Sequence, residues 1–219
     1  MRKEIDLLEN YPKAKRNLEE RLASKSDADR LIARKFGREF FDGDRKHGYG
    51  GFNYMPRFWQ PVIPTFKEYW NLTKDSSLLD VGCAKGFMLH DLTSLIPGIN
   101  VRGVDISEYA IDNAIDSMKP YTEVANAIQL PFPDDSFDVV ISINTIHNLD
   151  REECGKALQE IERVSKGKSF ITVDAYRNEE EKERMYAWNL TAKTIMSVDE
   201  WIKFFKEVNY NGDYFWFTP

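Results

Sequence analysis

The sequence predicts an α/β fold, a mostly parallel sheet wound with helices and preceded by a helical, aromatic extension. Two observations predict it. From residue 77 onward, short apolar runs alternate with amphipathic stretches of about ten to fifteen residues, the mark of β-α-β units. The runs are also nearly continuous in apolar residues, as strands covered on both faces must be. Phe137-Asp138-Val139-Val140-Ile141-Ser142-Ile143 is the strongest of them.

The elements follow in order. Residues 1–38 read as helix, with Leu7, Leu8, Leu18, Leu22, Leu31 and Ile32 spaced loosely by threes and fours among charges. Pro12 breaks or starts a helix there, and Ser26 with Asp27 can cap a second one. Residues 40–60 mix turn chemistry with rings: Phe40-Phe41-Asp42-Gly43-Asp44, then His47-Gly48-Tyr49-Gly50-Gly51, then Tyr54, Arg57, Phe58 and Trp59. Residues 62–72 look helical, with Val62, Phe66, Tyr69 and Trp70 on one side. Leu78 to Val81 is a first strand, Phe87 to Ile96 a helix stopped by Pro97-Gly98, and Asn100 to Asp105 a second strand. Ser107 caps a helix expected to run through Met118, with Ala110, Ile111, Ala114, Ile115 and Met118 as its buried stripe. Thr122 to Asn126 is a brief third strand and Phe137 to Ile143 the fourth. A helix follows over Arg151 to Val164, a fifth strand over Ser169 to Val173, helices over Glu179 to Tyr186 and Val198 to Val208, and a last aromatic strand over Asp213 to Phe217. The organisation is therefore a helical and aromatic extension over 1–72 and an α/β domain over 73–219.

Composition narrows the function. The 219 residues are 42% hydrophobic and 30% charged, with 14 Phe, 10 Tyr and 5 Trp, enough for a real core. The net charge of −6 argues against a dedicated nucleic-acid binder. The charge is uneven, with 13 Lys+Arg against 10 Asp+Glu in residues 1–50 and 17 against 26 in the remainder. Cys83 and Cys154 do not make a disulfide framework, the N-terminus lacks the apolar run of a secretory signal, and no stretch approaches the roughly 18 apolar residues of a membrane span. A cytoplasmic, reduced protein is the expectation. His47, His90 and His147 are not on a metal-ligand spacing, so no metal is expected.

The informative segment is Leu79-Asp80-Val81-Gly82-Cys83-Ala84-Lys85-Gly86-Phe87, a strand-to-helix turn. In open α/β sheets ligands bind at the carboxyl ends of the strands, and a helix N-terminus there offers unpaired N–H groups. Gly82 and Gly86 allow close backbone approach. The four-residue glycine spacing departs from the dinucleotide fingerprint, and Gly86-Phe87 departs from a P-loop.

Asp80-x-Gly82-x-x-x-Gly86 resembles the first motif of the class I S-adenosylmethionine (SAM)-dependent methyltransferases. Three more segments fall in the family's order: Gly103-Val104-Asp105-Ile106-Ser107, Asn126 through Asp138, and Ser142-Ile143-Asn144-Thr145-Ile146-His147-Asn148-Leu149, the last similar to the ubiquinone-type (type 11) branch. The resemblance covers residues 76–176 well and 197–217 loosely. It implies a Rossmann-like doubly wound sheet of six or seven strands and a transferase moving a methyl group from SAM to a small-molecule acceptor, leaving S-adenosylhomocysteine. Asp105 would accept from both ribose hydroxyls, a carboxylate offering two oxygens to a vicinal diol. Ile106 would pack on adenine, the Asn126 amide oxygen would read the adenine amine, and the Ala127 N–H a ring nitrogen. Asp80 and the backbone of Gly82, Cys83, Ala84 and Gly86 would hold the methionine portion, and the Asn144 carbonyl would line the sulfonium. Cys83 itself reads as a small apolar packer. Two positions depart from the commoner family loop: Ala84 stands for a middle Gly, and Lys85, expected to face solvent, for a small residue.

Methyl transfer from a sulfonium needs mainly positioning, and a base only where the acceptor loses a proton. His147, past the fourth strand, is the candidate base. His47, Tyr49, Arg57 and Trp59 are candidate lid or acceptor-pocket residues, with Tyr176 at the pocket edge. A non-catalytic SAM sensor or partner-activating protein is the alternative. A nicotinamide oxidoreductase is disfavoured by the glycine spacing, and transfer to protein or RNA by the acid balance. Neither the acceptor atom nor homo-oligomerisation is specified by the sequence.

Overall fold

The computed structural model describes residues 2–12 and 26–218. Strands β1 (Ser77–Val81), β2 (Asn100–Asp105), β3 (Thr122–Val124), β4 (Val139–Ile143) and β5 (Ser169–Tyr176) form a parallel sheet in the order β3-β2-β1-β4-β5. The far edge of β5 is shared. Strand β7 (Asp213–Phe217) pairs with Phe170 to Asp174, and the two-residue β6 (Met196–Ser197) with Ala175 and Tyr176. Seven strands result, and every pairing among the described residues is parallel. The order reverses between β2-β1 and β4, which opens a crevice at the carboxyl ends of β1 and β4.

The helices α4 (Ile63–Trp70) and α5 (Phe87–Leu95) cover one face of the sheet, and α7 (Arg151–Val164) and α9 (Val198–Glu207) the other. The pleat sorts the residues: Leu78 packs with Phe66, Leu89 and Leu92, whereas Leu79 packs with Leu158, Ile161 and Phe205. On α7, Ala157, Leu158, Ile161 and Val164 repeat at helical spacing and are wholly buried, while its first turn carries Glu152 and Glu153 behind the Asp150 cap. Capping boxes at Ser26–Asp29 and Ser197–Glu200 start α1 (Asp27–Ala33) and α9. The further helices are α2 (Arg38–Phe41), α3 (Pro56–Trp59), α6 (Glu108–Asp112) and α8 (Glu179–Trp188). None among the described residues is long and apolar enough to cross a membrane.

Four expectations change. Residues 2–12 are not helical; Ile5 N donates to Tyr214 O and Tyr214 N to Lys3 O, so this segment borders β7. Leu18 and Leu22 lie outside the described residues. The helix from Ser107 stops at Asp112, because Ile115 N is taken by Lys85 O and Asn113, Asp116 and Ser117, ahead of Pro120, favour turns. Helix α8 extends to Trp188, and β6 has too few residues to leave a periodic signal.

Candidate active site at the carboxyl ends of β1, β2 and β4

The turn after β1 is held by its own backbone. Gly82 N and Cys83 N both donate to Val104 O, at 2.7 and 3.0 Å. Gly82 has φ +92°, and a side chain there would run into Thr145, which follows β4; a glycine is required on both counts. Gly86, left-handed at φ 74°, ends the turn and starts α5, so the helix N-terminus faces the crevice. Ala84 is also left-handed (φ +49°), a conformation usually left to glycine. Its N–H donates to Asp105 Oδ2 at 2.8 Å, and that bond holds the turn against β2.

Asp105 closes the other side. Its Oδ1 accepts from Ser107 N at 2.9 Å. Burial raises its pKa, against the lowering pull of the Ser107, Ala84 and Ile106 N–H groups. These bonds fix the carboxylate, and each oxygen keeps a lone pair for a further donor. Beside it Ile106 is 53% exposed, an apolar face at the mouth of a polar crevice.

Asp80 is buried, and its carboxyl makes no hydrogen bond or ion pair among the described residues. Burial, and then repulsion by Asp105, push its carboxyl up to about 8. A buried carboxyl beside a partly buried one with no cation between them is costly as an ionised pair, and a cationic ligand group would relieve it. The crevice thus suits a ligand with a vicinal diol, an apolar ring and positive charge. SAM has all three in its ribose, its adenine and its ammonium and sulfonium groups, so the residues present fit the cofactor that the resemblance implies.

The other expected residues divide. Ala127 N–H has no hydrogen-bond partner among the described residues and is available to a ring nitrogen. The Asn126 oxygen, expected to read adenine, accepts Ile128 N at 3.2 Å and closes a local turn, leaving one lone pair. Asn144 ends β4 in a left-handed conformation (φ +53°), its Oδ1 and N both tied to Thr172 Oγ1 at 2.9 Å. Cys83 is buried, its thiol pushed well up by burial and by Asp80 and Asp105, and its Sγ fills the space a side chain at Gly103 would need. It packs and is no nucleophile.

His147 is buried in the turn Ile146–Asn148. Its Nδ1 accepts from Asp174 N at 3.3 Å, which places the ring proton on Nε2, 3.7 Å from Asp174 Oδ1. Burial lowers its pKa, against the raising effect of Asp174. The ring therefore offers no free lone pair; its backbone carbonyl accepts from Lys193 N and Thr194 N, both at 3.0 Å.

The extension reaches the crevice through Tyr49, an expected lid residue, and through Asp42 and Phe52, which carried no such expectation. Lys85, expected in solvent, is buried: Nζ donates to Asp42 Oδ2 at 2.6 Å and to Phe52 O at 2.9 Å, under the Tyr109 ring. The Asp42 carboxyl is raised by burial but lowered more by Lys85, Phe52 N and Tyr109, and sits below its usual value. Phe52 stacks on Phe87 at 5.0 Å, and Tyr49 packs on Phe40, Phe41 and Phe52. So residues 36–52 lie against the turn after β1 and α6. The other lid candidates are elsewhere. His47 is buried within the extension on Asp29, at 3.1 Å. Arg57 is exposed over Phe58, and Trp59 packs on Tyr11. Tyr176, at the end of β5, lies under Lys182. A glycine-aromatic composition signals a shaped loop, but it does not say which ring faces the crevice.

Comparison with known proteins gives the family and the fold. The pattern of the family described as a methyltransferase domain matches residues 79–173. The chain is 32% identical over 65% of its length to the tRNA (carboxymethyluridine(34)-5-O)-methyltransferase of Arabidopsis thaliana, covering 33% of that protein. It is 27% identical over 57% of its length to the 27-O-demethylrifamycin SV methyltransferase of Amycolatopsis mediterranei, covering 50% of it. The chain thus spans a third to a half of these relatives. The fold is shared with the [4+2]-cyclase SpnF at a TM-score of 0.55, 20% identity, 68% of this chain and 57% of that one.

Proposed function

Because this chain carries, over residues 79–173, a methyltransferase domain of the class I, type 11-like family, for which SAM is the cofactor, we propose that it transfers a methyl group from SAM to a small-molecule acceptor. The observation that carries the reading is the pair of carboxyls, Asp80 buried and Asp105 partly buried, facing a left-handed turn and a helix N-terminus with no cation paired to either among the described residues. When bound, SAM supplies a methyl group already activated on a sulfonium. The protein's part is to hold and align.

In this reading Asp105 grips the ribose diol, Ile106 covers one adenine face, and Ala127 N–H, with the remaining Asn126 lone pair, reads its edge. Asp80 takes the ammonium, with the backbone of residues 82–86 around the methionine. The carbonyl of Asn144, a residue tied to Thr172 through its N–H and its Oδ1, borders the methyl. Phe41, Tyr49 and Phe52 form the lid, latched by Lys85 on Asp42. His147 serves as a positioning residue that ties β5 to residues 193–194; a base role requires its Nε2 proton to pass first to Asp174. A small acceptor is favoured over a polynucleotide by the net charge of −6.

The test is calorimetry with S-adenosylhomocysteine, followed by incubation of the protein and labelled SAM with metabolite extracts. Binding with label appearing in a small product is expected. Absence of binding heat would end the reading, and binding without transfer would leave a SAM sensor or partner-activating protein.

A further inference from the structure

A second polar site lies beyond β4 and β5, and its charge is of the opposite sign. Helix α1 crosses to residues 189–195, and between the two is a cleft of about 550 Å³. Its walls carry Arg30, Arg34 and Lys193 against one acid, Asp27. Arg30 pairs with Asp27 at 3.0 Å, an exposed contact that leaves part of its guanidinium open. Arg34 donates Nε to Thr191 O and Nη2 to Ala192 O, both at 3.3 Å, and has no carboxylate partner among the described residues. Lys193 is exposed, and its ammonium has no partner among them. In a chain of net charge −6, two cations in one cleft with no counter-charge among the described residues are out of keeping with the average surface.

The carbonyl bonds matter as much as the charge. They fix the Arg34 fork on one side, as bidentate recognition of a carboxylate or phosphate requires. The cleft is also tied to the crevice, since Lys193 N and Thr194 N donate to His147 O just past β4.

We propose that this cleft binds an anionic group, a carboxylate or a phosphate, through Arg34, Lys193 and Arg30, and that the group is the handle of the methyl acceptor. Only the last clause rests on the methyl-transfer reading. The donor crevice is acidic and the cleft is basic, so each excludes the other's ligand.

The test is titration of the full chain at low salt with inorganic phosphate, with succinate and with a short oligouridylate, beside a separate titration with S-adenosylhomocysteine. Phosphate or succinate is expected to bind measurably, about tenfold more weakly in Lys193→Met and more weakly still in Arg34→Met, with part of the loss recovered in Arg34→Lys. Lys193→Met is the decisive variant, since its exposed side chain supports nothing in the fold. Phosphate binding without S-adenosylhomocysteine binding keeps the cleft and removes methyl transfer. The reverse result, or equal anion binding in wild type and Lys193→Met, removes the cleft. Tight oligouridylate binding with no phosphate or succinate binding overturns the small anionic handle.

Discussion

The acidic crevice and the basic cleft stand at the same end of one sheet, yet they are built differently. The carboxyls and the turn of the crevice come from 27 consecutive positions, Asp80 to Ile106, that a single β-α-β unit folds onto themselves. Its charges are Asp80, which is buried, and Asp105, which is partly buried and close enough to raise the Asp80 carboxyl. The cleft comes from residues 30, 34 and 193, and its cations are partly or wholly in solvent. The difference teaches where each ligand's binding energy comes from. Buried carboxyls without water make strong directed bonds and a steep dependence on protonation; exposed cations give weaker, salt-screened attraction.

The largest effect that would break this contrast is on the crevice. Asp105→Ala removes the acceptor proposed for both ribose hydroxyls and the anchor of Ala84 N. Loss of about 100-fold in S-adenosylhomocysteine affinity is expected, equivalent to about 3 kcal/mol. His147→Ala, compared on folded protein, should change it by much less. Equal losses by calorimetry would mean that the donor site extends to β5 and that the two regions are one.

Lys85→Met comes next. It strips the counter-charge from Asp42, whose side chain is 23% exposed, against 8% for Lys85. A fully buried pair broken this way loses about 3–5 kcal/mol, so about 2 kcal/mol is reasonable after solvent screening, or a Tm lower by about 4–8 °C. The loss should be regained in part by Asp42→Asn in the same chain. A thermal scan showing no change for Lys85→Met would mean that residues 36–52 are not latched to the cofactor turn.

Asp80→Asn sharpens the electrostatic side. With its carboxyl pushed to about 8 in the folded protein, Asp80 keeps a proton that the unfolded chain gives up near 3.9. Between those values rising pH favours unfolding, by at most about 1.4 kcal/mol per pH unit, and the loss is complete above about 8. Asp80→Asn should therefore flatten the decline and stabilise the ligand-free protein at pH 8 while weakening S-adenosylhomocysteine binding. Urea melts from pH 5 to 9 give the slope. An unchanged slope would mean that Asp80 has a partner in solution.

What could be read from sequence follows the same division. Gly82, Gly86 and Asp105 lie where their spacing puts them, because strand, turn and helix lengths alone bring them together. The burial of Lys85 depends on Asp42, 43 positions away, and a lone lysine in a glycine-rich turn carries no sign of that. His147 stands at the expected place past β4, but its tautomer depends on the Asp174 N–H, 27 positions on. Trp59 and Arg57 share the composition of a lid and pack elsewhere, since nothing local distinguishes a ring facing the crevice from one facing Tyr11. The cleft left no trace, because a cation's lack of a counter-charge is a tertiary fact.

The smallest effect tests why the crevice tolerates Ala84. At φ +49° an alanine costs roughly 1–2 kcal/mol more than a glycine, which visits that region freely. Glycine in turn loses roughly 0.5–1 kcal/mol more in chain entropy on folding. Ala84→Gly should thus stabilise the protein by about 0.5 kcal/mol, or about 1–2 °C in Tm. The Ala84 N–H bond to Asp105 explains how the strain persists: a fixed carboxylate dictates the direction of that N–H, and only the left-handed backbone supplies it. If so, Asp105→Ala should cancel the gain from Ala84→Gly, because the backbone would be free to relax without it. Additive Tm shifts in the double variant would instead place the strain in the two flanking glycines, and the acidic crevice would no longer be the element that shapes its own turn.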